Sequence, residues 1–192
     1  MNTFELRMRG QAQPADFLLQ VAHTAELDTS VLTQCRQLLD VVFDGEFGIE
    51  DWDHSIGGMH AIAWHRTSVI GHASVVQRRL VHNGRALRTG YVEGVGVDPA
   101  WQRQGIGGQM MEALERLIKV AYDLGALSAS DNAVSMYQQR RWIRWLGPTS
   151  ALTPAGIVRT ADEDGGVYVL PVAEILDVTG ELTCDWRDGD QW

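Results

Sequence analysis

A glycine-rich segment near the middle of the chain has the residue types that bind phosphate groups. Residues 91–110 read YVEGVGVDPAWQRQGIGGQM, a strand rich in Val and Gly that leads through a short turn into the start of a helix. Within it, Gln102, Gly105 and Gly107 form the pattern Q-x-x-G-x-G. Residues without a Cβ let backbone N–H groups approach phosphate oxygens, and the first turn of a helix offers unpaired donors and a partial positive charge. The segment therefore predicts a pyrophosphate site made of main-chain amides.

Two better-known phosphate motifs do not occur in this segment. A Walker loop needs Lys followed by Ser or Thr after its last Gly, and a dinucleotide fingerprint needs G-x-G-x-x-G. An isolated G-x-G is more often only a tight turn, so this alternative stays open for the segment alone. Downstream, apolar side chains recur at helical spacing and predict a helix packed on a sheet. They are Ile106, Met110, Leu114, Leu117, Ile118 and Ala121.

Glu93 interrupts the apolar part of the preceding strand. A carboxylate between Val92 and Gly94 is costly to bury unless it is paired or functional. Glu93 is therefore either a reactive group or a solvated side chain on the outer face of the strand.

The composition is that of an ordinary globular protein with an excess of negative charge. The 192 residues include 45% hydrophobic and 21% charged side chains, and the formal net charge is −9. A nucleic-acid partner is not expected, because binding a phosphate backbone requires a cationic surface. No apolar run approaches a membrane span and no signal segment opens the chain, which predicts no membrane partner and a single cytoplasmic domain over residues 1–192.

Cysteine and histidine spacing does not indicate a metal site or a disulfide framework. Cys35 and Cys184 lack any C-x-x-C neighbour and are expected to be reduced, with Cys35 in the core of the first helix. The histidines lack ligand spacing, so His54, His60 and His65 are expected to pack or face solvent. We predict that no metal is bound.

Charged side chains gather in several separate segments. The acidic ones are Asp44, Glu46, Glu50, Asp51 and Asp53, then Asp162, Glu163 and Asp164, and then Asp185, Asp188 and Asp190. If these segments converge they form a pocket for a polyamine or an aminosugar, whereas on separate surfaces they only keep the protein soluble. Arg140, Arg141 and Arg144 form a small basic cluster that we interpret as a solvated helix end.

The order of the predicted elements favours an α+β fold. Apolar spacing predicts a helix capped by Asp28 or Thr29, and His82-Asn83-Gly84 predicts the turn of a hairpin between strands at 69–81 and 86–97. Further strands are expected at 18–21, 59–64, 127–128 and 143–146, with a final strand at 167–170, and further helices at 50–55 and 132–139. Hairpins first and helices later imply a mixed sheet rather than a doubly wound one.

Three other stretches are expected to be irregular. Residues 1–15 form a loosely ordered leader, and residues 172–192 form a tail that wraps the body. Pro148, Pro154 and Gly156 mark a long irregular connection.

Several segments resemble one enzyme superfamily. Residues 91–108 resemble the acyl-CoA-binding motif of the GNAT acetyltransferases, and NAVSMYQQRRW at 132–142 resembles the helix that follows it. More narrowly, five segments are similar to the aminoglycoside 2'-N-acetyltransferases of mycobacteria and their relatives. They are GGMHAIAWHR at 57–66, GYVEGVGV at 90–97, GALSAS at 125–130, GPTS at 147–150 and CDWRDGDQW at 184–192. The resemblance covers most of the chain beyond about Ala22.

This resemblance implies a fold, a cofactor and an assembly. The fold would be the GNAT acyl-CoA N-acyltransferase fold, a mixed, mostly antiparallel twisted sheet that is split centrally and flanked by helices. Acetyl-CoA would lie in the split, and the protein would form a homodimer. The implied cofactor-binding residues are Val95, Gly96, Val97, Gln102, Arg103, Gln104, Gly105, Ile106, Gly107, Gly108 and Asn132.

The resemblance also implies two catalytic side chains. Glu93 would take the amine proton through a water molecule, and Tyr137 stands at the position of the general acid, since a phenol can protonate a departing thiolate. The alternative role of Tyr137 is an aromatic anchor for its helix. Arg141 stands where the superfamily usually has Gly, so a left-handed residue there would be mildly strained.

Acceptor recognition is implied for a third set of residues. They are Glu46, Asp51, Gly94, Ser128, Glu163, Asp190 and Trp192, the last through its terminal carboxylate. Ionised oxygens bind ammonium groups more strongly than neutral oxygens do, which suits a small polycationic aminosugar. Alternatively, Trp186 and Trp192 only anchor the tail. The expected function is 2'-N-acetylation of aminoglycosides; the alternatives are acetylation of another cellular amine, or a non-catalytic acyl-CoA sensor.

Overall fold

A computed structural model describes residues 16–130, 133–172 and 176–192. The predicted leader at 1–15 and the predicted cofactor residue Asn132 lie outside these ranges. The helices are α1 Thr29–Val42, α2 Ile49–Ser55, α3 Ile106–Ala121 and α4 Val134–Gln139, with 3-10 turns at Thr24–Glu26, Pro99–Trp101 and Ala161–Glu163. The strands are β1 Leu18–His23, β2 Met59–His65, β3 Ser68–His82, β4 Arg85–Val97, β5 Leu124–Ser128, β6 Ile143–Arg144, β7 Thr149–Thr153, β8 Gly156–Arg159, β9 Val167–Pro171 and β10 Leu182–Cys184. Among the helices described, none combines the length and the apolar character that a transmembrane span requires.

The described strands belong to one mixed sheet. Its order is β6-β9-β5-β4-β3-β10-β7-β8, while β2 pairs with the first part of β3 and β1 pairs with β2. The pairs β4–β5 and β10–β7 are parallel and the other pairs are antiparallel. This arrangement confirms the predicted α+β fold with a mixed, mostly antiparallel sheet.

The β3–β4 hairpin is the longest strand pair. Its turn is formed by Asn83 and Gly84, with φ angles of 50° and 72°. Asn and Gly tolerate this left-handed conformation better than other residues, which is why the pair favours tight hairpin turns. The predicted hairpin is therefore confirmed.

The sheet divides where β4 and β5 separate. Their parallel pairing ends with Tyr91 opposite Ala126. Beyond this point β5 continues beside β9 and β4 continues beside β3. The main-chain groups of β4 from Val92 to Val97 therefore border an opening on the β5 side.

Helix α3 covers one face of this divided sheet. Its inner face contributes fully buried side chains to the main core, together with residues of β2, β3 and β4. These side chains are Ile106, Met110, Met111, Leu114 and Ile118. Burying one such side chain contributes about 1.5–3 kcal/mol, so α3 and the loop before it are held firmly against the strands. Helix α1 likewise buries Cys35, as predicted.

Two predictions for the second half of the chain are wrong. Residues 148–156 are not an irregular connection, because β7 and β8 form an antiparallel hairpin there. Pro148 and Pro154 lie just outside strand β7, where a missing N–H costs no ladder hydrogen bond. Strand β9 is not the final strand, because β10 follows it and lies between β3 and β7. The predicted tail thus contributes a strand to the sheet.

Candidate active site

The opening beside β4 widens into a cavity of about 1310 Å³. Its walls come from the α1–α2 segment, β4, the glycine-rich loop, the end of β5, α4 and the C-terminal residues. The predicted site residues in these walls are Glu46, Asp51, Glu93, Gly94, Val95, Gly96, Val97, Gln102, Arg103, Gly105, Ile106, Gly107, Gly108, Ser128, Tyr137, Asp190 and Trp192. Gln104 and Glu163 are not among the lining residues. The fold therefore brings most of the predicted residues together around one cavity.

The glycine-rich loop presents an open helix N-terminus to the cavity. Gly105 is the N-cap of α3 and has a φ of +83°, a conformation that favours glycine. A Cβ added at Gly107 or Gly108 would meet other atoms no closer than 3.7 Å. Packing within the described residues therefore does not require glycine at these two positions, whereas close approach of a phosphate group would. Among the described lining residues, Arg103 is the only one with a positive side chain.

A β-bulge changes the course of β4 inside the cavity. Between the pairs His72–Gly96 and Ser74–Glu93, β4 has one residue more than β3. The bulge includes Gly94, whose φ is +54°. A bulge interrupts the ladder and redirects main-chain groups, which is why bulges are frequent beside active sites.

Two buried histidines hold the bulge through a chain of hydrogen bonds. His72 Nδ1 lies 2.8 Å from the carbonyl oxygen of Gly94. His72 Nε2 lies 2.8 Å from His60 Nδ1, and His60 Nε2 lies 2.7 Å from Thr24 Oγ1. Burial lowers the pKa of His72 to about 4 and that of His60 to about 3, so both rings are neutral at physiological pH.

Because both histidine rings are neutral, the donor and the acceptor of each hydrogen bond in this series are determined. His72 must donate from Nδ1 to the Gly94 carbonyl, so its Nε2 is an acceptor. His60 must then donate from Nδ1, and Thr24 must donate its hydroxyl to His60 Nε2. The prediction that His60 packs rather than binds metal is consistent with this role. The sequence did not reveal His72.

Glu93 is paired with an arginine that the sequence pattern also did not reveal. Arg187 Nη1 donates to Glu93 Oε1 over 2.5 Å, and the two side chains are 13% and 16% exposed. Glu93 Oε2 has no hydrogen-bond partner among the described residues. Because Glu93 lines the cavity and is largely buried, the solvated alternative is wrong.

The surroundings of Glu93 change its acidity. Burial raises the pKa of Glu93, and the positive charges of Arg187 and Arg78 oppose this rise. The carboxylate of Asp51 adds to the rise. A carboxylate with a raised pKa and a free oxygen is suited to accept a proton.

Tyr137 reaches the cavity from α4. Its side chain is buried, and burial raises its pKa to about 12, so the phenol stays protonated at neutral pH. Its ring is tilted against Trp142 with 6.1 Å between the ring centroids, so it also anchors its helix. Arg141 has a φ of 69°, so the left-handed residue that was expected to be mildly strained does occur here without glycine.

The end of α4 is held by a buried carboxylate on α3. Glu115 accepts hydrogen bonds from Arg140 Nε at 2.7 Å, from Arg140 Nη2 at 2.9 Å and from Trp142 Nε1 at 3.0 Å. The prediction that Arg140 belongs to a solvated helix end is wrong, because this ion pair leaves its side chain only 21% exposed. Sequence spacing could not show the pair, since the partner lies on another helix.

Carboxylates from two of the three acidic segments line the cavity. Asp44, Glu46 and Asp51 approach from the α1–α2 segment, and Asp190 approaches from the C-terminal residues. Asp51 also caps α2, because its Oδ2 accepts a hydrogen bond from the amide of Gly48 at 2.7 Å. Among the described residues, no group of three or more His, Cys, Asp or Glu side chains is arranged to hold a metal ion.

Glu163 belongs to the third acidic segment and lies close to the cavity wall. Burial raises the pKa of Glu163, and the negative charges of Asp190 and Asp162 add to this rise. The ideal Cβ position of Gly166 lies 3.8 Å from Ser128 Oγ and 3.9 Å from Glu163 Oε2. The convergence of the acidic segments is therefore real for part of each segment.

The remaining acidic side chains include two that pair with arginines elsewhere. Asp164 forms an ion pair with Arg159, and Asp185 pairs with Arg78 at 2.8 Å. These carboxylates stabilise the β7–β8 region and the C-terminal segment rather than the cavity.

Trp192 both anchors the C-terminal segment and borders the cavity. Its side chain is 5% exposed and packs in a cluster that contains Tyr91 and Val167. Its Nε1 donates to Thr160 Oγ1 at 2.9 Å. Trp186, by contrast, is 48% exposed.

Comparison with known proteins identifies the family. A family model described as "Acetyltransferase (GNAT) family" matches residues 28–141. The chain therefore belongs to the GNAT acetyltransferase family. A curated relative, the aminoglycoside 2'-N-acetyltransferase of Mycolicibacterium fortuitum, is 49% identical over 177 residues, which cover 90% of this chain and 91% of the relative.

Solved structures share the fold at low sequence identity. A GNAT family N-acetyltransferase of Escherichia coli in complex with CoA has a TM-score of 0.62 and 17% identity, covering 91% of this chain and 93% of that chain. A GNAT family acetyltransferase of Brucella melitensis in complex with acetyl-CoA has a TM-score of 0.57 and 14% identity, covering 86% and 94%. At these identities the likeness establishes the GNAT fold alone.

Proposed function

We propose that the protein transfers the acetyl group of acetyl-CoA to the 2'-amino group of an aminoglycoside. The similarity to an aminoglycoside 2'-N-acetyltransferase over 90% of the chain supports this reaction. The observation that carries the acceptor class is the meeting of Asp51, Glu93 and Asp190 in the wall of one cavity, from three distant parts of the chain. Such a cavity attracts a small molecule with several ammonium groups.

The open main chain at the other end of the cavity fits acetyl-CoA. The free amides at the start of α3 would bind the pyrophosphate, with Gly107 and Gly108 leaving room for its approach. Main-chain groups of Val95 and Val97 would pair with the amides of the pantetheine arm, which then takes the place of a neighbouring strand. Acetyl-CoA supplies an activated thioester when bound. The remaining chemistry falls to residues of the chain.

Glu93 is the proposed general base. Its free Oε2 would accept a proton from the acceptor ammonium through one water molecule, which leaves a neutral amine able to attack. The N–H near Val95 would donate to the thioester oxygen as negative charge develops, a contribution of about 3 kcal/mol in comparable sites. The attack forms a C–N bond and breaks the C–S bond.

Tyr137 is the proposed general acid for the departing thiolate. A phenol with a pKa of about 12 is a weak acid, but the same buried walls disfavour the charged thiolate and so raise its basicity. The two groups are thereby brought closer in proton affinity. Tyr137 would donate its proton to the thiolate as the C–S bond breaks, and the second proton that the acetylated nitrogen loses would return to Tyr137 through water.

The acceptor would be held by further residues of the cavity and its border. We assign this role to the side chains of Glu46, Asp51, Ser128, Glu163 and Asp190, together with the main chain of Gly94 and with Trp192. The α-carboxylate of Trp192, the homodimer and the cytoplasmic location stay predictions.

The test is a release assay for free thiol with matched acceptors. Two aminoglycosides that differ only in an amine or a hydroxyl at the 2' carbon should give turnover with the first and none with the second, and the product should be acetylated at the 2' nitrogen. Turnover only with unrelated amines would assign a different acceptor. Binding of acetyl-CoA without thiol release from any amine would support an acyl-CoA sensor.

A further inference from the structure

The C-terminal segment, residues 185–192, is tied to β3 by Arg78. This side chain is 5% exposed, and its Nε donates to Asp185 Oδ1 at 2.8 Å while its Nη2 donates to the Asp185 carbonyl at 3.0 Å. Its Nη1 donates to the carbonyl of Gln191 at 2.8 Å. The guanidinium of Arg78 therefore binds both ends of the C-terminal segment and forms no hydrogen bond or ion pair with Glu93.

Arg187 lies within the segment and makes the contact with β4. Its Nε donates to the carbonyl of Asp190 at 2.6 Å, and its Nη1 donates to Glu93 Oε1 at 2.5 Å. Gln191 Nε2 in turn donates to the carbonyl of Arg187 at 2.7 Å. The guanidinium of Arg187 thus links Asp190, a residue of the cavity wall, to the carboxylate of Glu93 on β4.

Tyr91 provides a rigid surface for both guanidinium groups. Its ring is almost fully buried, with Arg78 Cζ 4.7 Å and Arg187 Cζ 5.5 Å from the ring centroid. Contact with an aromatic face favours a cation and restricts where it can lie. The position of Arg187 is therefore determined by an ion pair, a carbonyl and a ring.

We propose that Arg187 is a positioning residue that holds Glu93 ready as the base and couples it to the acceptor-binding segment. This inference rests on the proposed function of Glu93. By occupying Oε1, Arg187 leaves Oε2 as the oxygen that meets the water molecule. By binding the main-chain carbonyl of Asp190, it also fixes the backbone that carries a second carboxylate in the cavity wall.

The charges around Glu93 determine how removal of Arg187 would change the pKa of Glu93. The groups that act on Glu93 are Arg187 from the C-terminal segment, Arg78 from β3 and Asp51 from α2. Arg78 is already engaged by Asp185 and Gln191, so it replaces Arg187 poorly. Burial and Asp51 raise the pKa of Glu93, and Arg187 opposes this rise. Without Arg187 the pKa would be higher still, so the carboxylate would take up a proton at higher pH.

The first test is a carboxyl titration of the free protein by carbon NMR. Arg187→Met should raise the apparent pKa of Glu93 by about one unit or more, and Arg187→Lys should restore most of the difference because it keeps the charge. Glu93→Gln assigns the signal. Arg88→Met is the matched control, since it removes an exposed arginine whose ion pair with Asp123 lies away from the cavity. An unchanged titration of Glu93 in Arg187→Met overturns the proposal.

The second test is the pH dependence of kcat/KM for a 2'-amino aminoglycoside. In Arg187→Met the acidic limb should move to higher pH together with the NMR titration, so that for a shift of about one unit activity falls up to about tenfold more on the acidic limb than at about pH 8.5. Added guanidinium ion should restore part of the activity at low pH. An equal loss at every pH, without rescue, overturns the proposal and leaves Arg187 a purely structural residue.

The two tests separate this inference from the proposed function. If no aminoglycoside is acetylated, the NMR titration still decides whether Arg187 controls Glu93. Acetyl-CoA binding and thermal unfolding of Arg187→Met should match those of Arg187→Lys, which ensures that a shifted titration is not the result of misfolding.

Discussion

Two carboxylates that are both largely buried and paired with arginine, Glu93 on β4 and Glu115 on α3, differ in how many donors they meet. Glu115 accepts three hydrogen bonds from two side chains and is 8% exposed. Glu93 accepts one from Arg187 and lines the cavity. A carboxylate surrounded by donors stabilises the fold, whereas one with a free oxygen keeps the capacity to take a proton. The number of donors therefore distinguishes the structural role of Glu115 from the proposed role of Glu93 better than burial does.

Glu93→Gln should have the largest effect. The amide keeps an oxygen for Arg187 but cannot accept a proton, so kcat should fall by about 10²–10⁴, the usual contribution of a general base. Steady-state kinetics and acetyl-CoA binding measure this, and binding of acetyl-CoA should not change. A fall in kcat of less than about tenfold would show that Glu93 is not the general base.

Glu115→Gln should act on stability instead. Its amide nitrogen would face a guanidinium or an indole N–H, so one buried donor loses its partner and the free energy of unfolding should fall by about 3 kcal/mol. Urea denaturation measures the loss. Turnover by the folded protein should fall far less than in Glu93→Gln, and a reversed order of the two effects would contradict the comparison.

Trp142→Phe sharpens the comparison by removing one of the three donors to Glu115. Loss of a hydrogen bond to a charged group should lower the free energy of unfolding by about 1.5 kcal/mol, roughly half the effect of Glu115→Gln. Since the ring of Tyr137 packs against Trp142, kcat should fall slightly as well. Denaturation and kinetics on the same preparation test both, and an unchanged stability would show that Arg140 alone satisfies Glu115.

The smallest expected effect is a pH dependence of stability that comes from Glu93. Its pKa is higher in the folded chain than in the unfolded chain, so the folded state binds the proton more tightly. The stability it contributes is present below the unfolded pKa of about 4.3 and is lost as pH rises through the raised folded pKa, by up to about 1.4 kcal/mol per unit of difference. Wild-type minus Glu93→Gln unfolding energies measured across this interval should fall with pH. A difference that rises with pH would mean that Arg187 outweighs burial.

Features that depend on local spacing could be predicted from the sequence. The glycine-rich loop, the first helix and the Asn83-Gly84 hairpin each follow from neighbouring residues, and Glu93 was recognisable as a carboxylate in an apolar strand. The acidic segments were visible, but their partial convergence was not, because it depends on how the sheet is ordered.

The residues that were missed owe their roles to distant partners. Arg187 and Glu93 are 94 positions apart, and Arg140 at the end of α4 is 25 positions from Glu115 on α3. Arg187 does stand between Asp185 and Asp188, which marks it as a side chain that will be paired, but sequence does not show which carboxylate it meets. The short strand β10 was missed because three residues carry no measurable periodicity.

Because of the open space around Gly107 and Gly108, selection for stability and selection for acetyl transfer should favour different residues at these two positions. Because a Cβ at either position would meet no described protein atom closer than 3.7 Å, alanine should be tolerated in this helix and should even stabilise it by about 0.5–1 kcal/mol. A library sorted for heat resistance would then enrich alanine at both positions, and one sorted for acetyl transfer would discard it. If the pyrophosphate binds as proposed, the ligand rather than the fold requires glycine at 107 and 108.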